Sequence, residues 1–257
     1  MTERTAAAGT GGPRLELAGV SKVYDDGTEA LADVGFGVGD GELVGIVGPS
    51  GCGKSTLLRI AAGLDTPTSG TVRGTADRIG YVFQDAALLP WRSVRANVEL
   101  LMELRGVPRA ERRERAAQAL DLVGLTEFAR HRPAALSGGM RMRVSLARTL
   151  ADDPGALLLD EPFGALDEIT RARLGDELAA LLAARPRPAV LVTHSVAEAV
   201  FLSSTVLVMS ARPGRIVARV NVPFPSPRER PLRATPEFAE VVAALTERLY
   251  RGMAEAA

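Results

Sequence analysis

The sequence predicts an α/β fold built on a strand–loop–helix unit, with a helical insertion in mid-chain. Three observations carry this. Gly48-Pro49-Ser50-Gly51-Cys52-Gly53-Lys54-Ser55-Thr56 has the spacing Gly-x-x-x-x-Gly-Lys-Ser of a P-loop; apolar Leu43–Val47 precedes it and helix-like residues 54–62 follow. Two more apolar runs, 156–159 and 189–192, end at once in polar groups, Asp160-Glu161 and Thr193-His194, as strands of a parallel sheet do at a ligand site. Residues 85–150 turn to Arg- and Glu-rich helical stretches, near 93–105 and 109–123, with Pro108 between them as a break.

The P-loop defines the chemistry. Glycines at 48, 51 and 53 let the backbone curl until several N–H groups point inward, where a phosphate sits at the positive end of the following helix. Lys54 reaches the β- and γ-phosphates and the Ser55 hydroxyl ligates Mg²⁺. The chain has only two lysines, Lys22 and Lys54, against many arginines, so an ammonium here is no accident of composition. A P-loop demands a metal partner, and Asp160 at the end of an apolar strand supplies one. Glu161 then points at the γ-phosphate and orients or deprotonates the attacking water. His194, at the carboxyl end of its strand, is placed to contact the γ-phosphate or that water.

Composition bounds the rest. Formal net charge is zero, so no overall field favours nucleic acid or anionic lipid. Cys52 is the one cysteine, which excludes an intrachain disulfide and fits a reducing compartment; it is either a reactive thiol near nucleotide or a small residue filling the loop. No run approaches the ~20 apolar residues that cross a bilayer.

In chain order, residues 1–12 read as a disordered tail without a signal-peptide core. Residues 14–38 read as two short strands around a turn at Asp25-Asp26-Gly27. Tyr24, just before that turn, is either an aromatic face for adenine or a core or turn tyrosine. After a turn at 68–70, residues 71–83 read as a strand ending in Tyr81-Val82-Phe83-Gln84, and Leu88-Leu89-Pro90-Trp91 as a loop with exposed apolar residues. Ser137, Gly138 and Gly139 open a helix to Leu150, Ser137 as its N-cap; this is either a second anion site or an ordinary capped helix. Residues 168–184 read as helix, 205–209 and 214–221 as strands, and Pro-rich 222–236 as a linker. An amphipathic helix over 237–250 carries Phe238, Val241, Val242, Leu245 and Leu249 on one stripe. His131 lies in a loop and has no assigned role.

Taken in order, these motifs make residues 14–221 resemble the nucleotide-binding subunit of an ATP-binding cassette (ABC) transporter. The resemblance implies a P-loop NTPase core, an ABC ATPase, with an antiparallel β subdomain and an inserted α-helical subdomain at about 85–150, the ATPase domain spanning 13–221. It implies ATP and Mg²⁺ as cofactors. Tyr24 matches the adenine-stacking aromatic, Gly48 to Thr56 Walker A, and Gln84 the glutamine that touches Mg²⁺ or the water. Ser137, Gly138 and Gly139 match the signature loop that binds the γ-phosphate held by another subunit. Asp160 and Glu161 match Walker B and the catalytic base, 164–167 the D-loop, and His194 the switch histidine. Met140 stands where many members have glutamine and Gly164 where many have serine; both look familiar from the nitrate, sulfonate and taurine importer group, as does Gln84 followed by Leu88–Trp91.

The implied protein is an ATP-dependent homodimer on the cytoplasmic face of the membrane. It docks integral membrane permease subunits, works indirectly with a solute-binding protein, and binds no nucleic acid. Competing classes are an exporter subunit, a non-transport cassette ATPase, which usually carries two cassettes or a long coiled-coil insertion, and another P-loop enzyme such as a kinase or GTPase, which leaves the signature loop and His194 unexplained.

Overall fold

The computed structural model describes residues 14–74 and 78–254. The tail expected over residues 1–12 lies outside the described residues. Two sheets form. Strands β1 (Leu15–Val23), β2 (Glu29–Val38) and β4 (Ser69–Gly74) make a three-stranded antiparallel sheet in the order β2-β1-β4. Strands β3 (Leu43–Val47), β5 (Ile79–Val82), β6 (Ala156–Asp160), β7 (Ala189–Val192), β8 (Thr205–Met209) and β9 (Ile216–Asn221) make a second sheet in the order β5-β6-β7-β3-β8-β9. All its pairings are parallel except β8–β9.

Strands β3, β6, β7 and β8 are buried at every residue, as strands covered on both faces must be. Alternation along them divides the core in two. Val44, Ile46, Leu158, Val190 and Leu207 face α1 (Lys54–Ala61) and the antiparallel sheet. Leu43, Val47, Leu157, Leu159, Leu191, Val206 and Val208 face the opposite cluster. That side is covered by α5 (Glu168–Ala184), α6 (Val196–Leu202) and α7 (Pro236–Ala254).

The inserted helices are α2 (Val94–Leu104), α3 (Arg109–Leu122) and α4 (Gly138–Ala151). Val94, Val98, Met102, Ala116, Ala119 and Leu120 meet Val144 and Leu146 between them. The charged face of α3 stays outward, with Arg109, Arg113 and Glu114 exposed.

Three expectations change. The strand expected over 71–83 is two strands in different sheets: β4 pairs with β1, and β5 with β6. Apolar patterning reports burial but not the partner strand. The loop expected to expose Leu88-Leu89-Pro90-Trp91 exposes only Pro90 and Trp91 (68%), because Leu88 packs against the core and Leu89 is half-buried. Residues 222–236, read as a linker, are tied down. Arg228 is 7% exposed and its Nη1 donates to the carbonyls of Val200, Phe201 and Ser203 (2.8–2.9 Å), while Nε and Nη2 donate to that of Phe224. A planar fork of donors matches the orphan carbonyls at the end of α6. The stripe on the last helix packs inward, with Phe238 and Leu245 buried.

Candidate functional site

The site gathers at the carboxyl ends of β3, β6 and β7. Gly53 caps α1 in the left-handed conformation (φ 102°), and a Cβ there would lie 2.7 Å from the carbonyl of Ala30. No side chain caps α1, so its first N–H groups are left for a ligand. Lys54 is buried at 6% exposure, and its Nζ donates to the carbonyls of Gly48 and Pro49, both at 2.8 Å. The Cys52 thiol lies 3.8 Å from Nζ and is 1% exposed. Burial pushes it up from the usual thiol range, which fits a packing residue rather than a reactive thiolate.

β6 delivers Asp160 beside the first turn of α1. The Ser55 hydroxyl donates to Asp160 Oδ1 (3.1 Å) and the Tyr81 hydroxyl to Oδ2 (3.3 Å). Burial pushes the Asp160 carboxyl up, opposed by those two hydrogen bonds. A buried carboxylate next to a hydroxyl oxygen is a hard-oxygen donor set that fits a small dication completed by phosphate and water. The residues therefore fit Mg²⁺.

The chain turns sharply at Glu161, which is held at φ 49° while its N–H donates to the carbonyl of Val192 (2.9 Å). A left-handed non-glycine residue is uncommon and marks a constrained position. Glu161 Oε2 accepts from Gln84 Nε2 (3.2 Å) and lies 3.5 Å from His194 Nδ1. Three residues far apart in sequence thus meet at one carboxylate. His194 is anchored through its neighbour. The Thr193 hydroxyl donates to Glu198 Oε2 (2.9 Å) and accepts from the Ser195 N–H (3.0 Å).

Tyr24 is 37% exposed, which excludes the core reading, and its hydroxyl shares a hydrogen bond with that of Thr56 (3.1 Å). Lys22 Nζ lies 5.1 Å from its ring centroid. Ser137 caps α4, its Oγ accepting from the Met140 N–H (3.2 Å). Gly139 lies against the Ala165–Leu166 turn, where a Cβ would be 2.9 Å from Leu166 Cδ2. Among the described residues no hydrogen bond joins the Ser137–Gly139 turn to the P-loop of the same chain.

Sequence reasoning missed several residues of this site. Tyr81 steadies Asp160. Asn97, fully buried, accepts from the Leu89 N–H and donates to the carbonyls of Leu89, Arg92 and Ser93, fixing the loop that carries Trp91. Arg212, from the turn after β8, donates through Nε and Nη2 to the Gly51 carbonyl (3.2 and 3.0 Å) and braces the P-loop from outside. A strand-end tyrosine one side-chain period before Phe83 was a usable signal; the others had none.

Comparison with known proteins agrees with this geometry. Residues 31–164 match the family described as ABC transporter. A putative ATP-binding protein of Brucella abortus is 44% identical over 236 residues, covering 89% of this chain and 90% of that protein. A taurine import ATP-binding protein, TauB, of Burkholderia pseudomallei is 47% identical over 235 residues, covering 86% and 90%. Among solved structures, the ATP-binding cassette MJ0796, as a dimer in a post-hydrolysis state with ADP and Pi, superposes with a TM-score of 0.74 at 34% identity, over 82% of this chain and 99% of that one.

Proposed function

This chain belongs to the ABC transporter family and hydrolyses ATP, and we propose that it is the ATPase subunit of an importer, working as a homodimer beneath a membrane permease. The observation that carries this is the convergence of Gln84 and His194 on Glu161 beside the Ser55–Asp160 pair. In this reading Tyr24 stacks on adenine. The P-loop from Gly48 to Thr56 cradles the phosphates, with Lys54 as the mobile charge that neutralises them. Ser55, Asp160 and Gln84 would hold Mg²⁺, which when bound would supply charge stabilisation to the phosphoryl group.

Glu161 takes the proton of the attacking water. His194 holds the Glu161 carboxylate and the γ-phosphate edge in register, and Gln84 links that carboxylate to the loop ending at Trp91. Ser137, Gly138 and Gly139 serve the nucleotide of a second copy. Their position against their own Ala165–Leu166 turn supports this, as does the dimeric state of the MJ0796 cassette. ATP then favours the closed pair and ADP the open one, and the difference in affinity does the work.

No helix among the described residues is long and apolar enough to cross a membrane, so the subunit reaches the cytoplasmic face through its partner. Trp91, at the tip of a loop pinned by Asn97, is the docking residue for a permease helix. The cargo class is a small anion of the nitrate, sulfonate or taurine kind, supported by Met140, Gly164 and relatives that import taurine. The test is co-purification with the permease encoded alongside. Trp91→Ala should lose the permease while ATP affinity stays within about twofold; a complex that survives intact overturns the docking assignment.

A further inference from the structure

Lys22 and Lys54 are the chain's two lysines, and the nucleotide reading above employs only Lys54. Lys22 sits near the end of β1, two residues before Tyr24, with its side chain largely covered. Of its three ammonium donors, one goes to Asp65 Oδ1 (2.6 Å) and one to the Thr66 carbonyl (2.8 Å). The same ammonium lies over the Tyr24 ring, within the range of a cation–π contact. One face of that ring is therefore taken by a fixed cation. The bond from Lys22 also holds the Asp65 carboxyl below the usual carboxylate range, so the pair stays charged.

The rest of the tyrosine's setting is equally constrained. The Val23 N–H donates to Thr68 Oγ1 (2.9 Å), and that hydroxyl donates back to the Val23 carbonyl (3.2 Å). The Tyr24 N–H donates to the Thr28 carbonyl (2.9 Å). At the far end of the ring stands the Thr56 hydroxyl. These anchors lie at the two ends of α1: Thr56 in its first turn, Asp65 and Thr66 in the turn that follows it. The aromatic is thus placed relative to the phosphate cradle by the helix that the cradle opens. An exposed ring contributes little packing energy, so constraints this complete serve its position rather than the core.

We infer that Lys22, anchored by Asp65, is a positioning residue for the nucleobase: it fixes the plane of Tyr24 and leaves the opposite face of the ring for a base to stack on. The inference rests on the reading of Tyr24 as the adenine platform. Because the Lys22 charge is paired with Asp65, a general attraction for phosphate is not its contribution. Lys22 strengthens the binding of molecules that carry a base and leaves that of bare phosphates alone.

The test titrates the full chain calorimetrically with magnesium–ADP and, separately, with magnesium–pyrophosphate, which fills the same cradle without a base. Lys22→Met should weaken ADP about three- to tenfold and leave pyrophosphate within about twofold. Asp65→Asn, which loosens the ammonium, should weaken ADP in the same selective way. Lys22→Arg keeps a cation for both the carboxylate and the ring and should recover most of the loss. In a Tyr24→Leu background, Lys22→Met should change ADP affinity by no more than about twofold, since the ring it positions is gone. Parent affinity for ADP in both Lys22→Met and Asp65→Asn would overturn the role, and so would ADP and pyrophosphate weakened by the same factor. Parent affinity for ADP in Tyr24→Leu alone would instead overturn the adenine reading, and the role of Lys22 with it.

Discussion

Arg148 donates from Nη1 to the Ala87 carbonyl at 2.9 Å, and from Nη2 to that of Ala86 at 3.2 Å. Arg148 lies in α4, the helix that Ser137 caps, and Ala87 lies in the loop between Gln84 and Trp91, held at φ 44°. One buried guanidinium therefore ties the helix that Ser137 caps to the loop that carries Trp91. Replacing Arg148 with Ala leaves two carbonyls without their charged donor and should cost about 2–4 kcal/mol of stability. Arg148→Lys should recover part of the stability but not the two-pronged grip. Thermal unfolding, together with permease-stimulated ATPase, checks both.

Glu161→Gln removes the proton acceptor and keeps the shape. Turnover should fall about 10²–10⁴-fold while ATP and magnesium still bind, and the ATP-bound chain should accumulate as a dimer. Size-exclusion chromatography with ATP reads the dimer. A variant that turns over at the parent rate removes Glu161 from the base role.

Tyr81→Phe deletes one of two hydrogen bonds on Asp160. Those bonds oppose the upward push of burial on that carboxyl, so the variant should protonate it more readily. The magnesium concentration for half-maximal ATPase should rise several-fold, more at pH 6 than at pH 8, with KM for ATP at saturating magnesium little changed. An identical magnesium dependence in the two proteins would dismiss the role.

Burial pushes Glu198 from 4.5 to about 7; the Thr193 hydroxyl bond, Arg171 and Arg233 oppose this, and Glu161 adds to it. The folded chain thus holds a proton that the unfolded chain releases near pH 4.5. The contribution is fully present below that pH and is lost as pH rises to about 7, on the order of a few kcal/mol. Glu198→Gln keeps an acceptor for Thr193 and cannot ionise. Its stability should fall less than the parent's between pH 5 and pH 8, as measured by urea unfolding.

The residues readable from sequence are those whose chemistry is packed into contiguous motifs. Gly48 to Thr56, Asp160-Glu161 and His194 each sit where an apolar strand ends. What stayed hidden depends on contacts across the fold. Arg148 meets Ala87 across 61 residues, and its side chain does not differ locally from its neighbours; Tyr81 stands out as a strand-end tyrosine, but its partner Asp160 lies 79 residues away. The division of 71–83 between two sheets was illegible for the same reason: pairing is a property of both partners. Arg228 looked like one more charge in a Pro-rich stretch, and only the end of α6 explains its burial.

The ammonium of Lys54 rests on two carbonyls of its own loop. An incoming molecule has to displace both before that charge turns outward. A nucleoside or a neutral sugar offers nothing in exchange, whereas a chain of phosphates offers several anionic oxygens at once. The charge held at that loop thus suits a polyanion and has nothing to offer an uncharged look-alike.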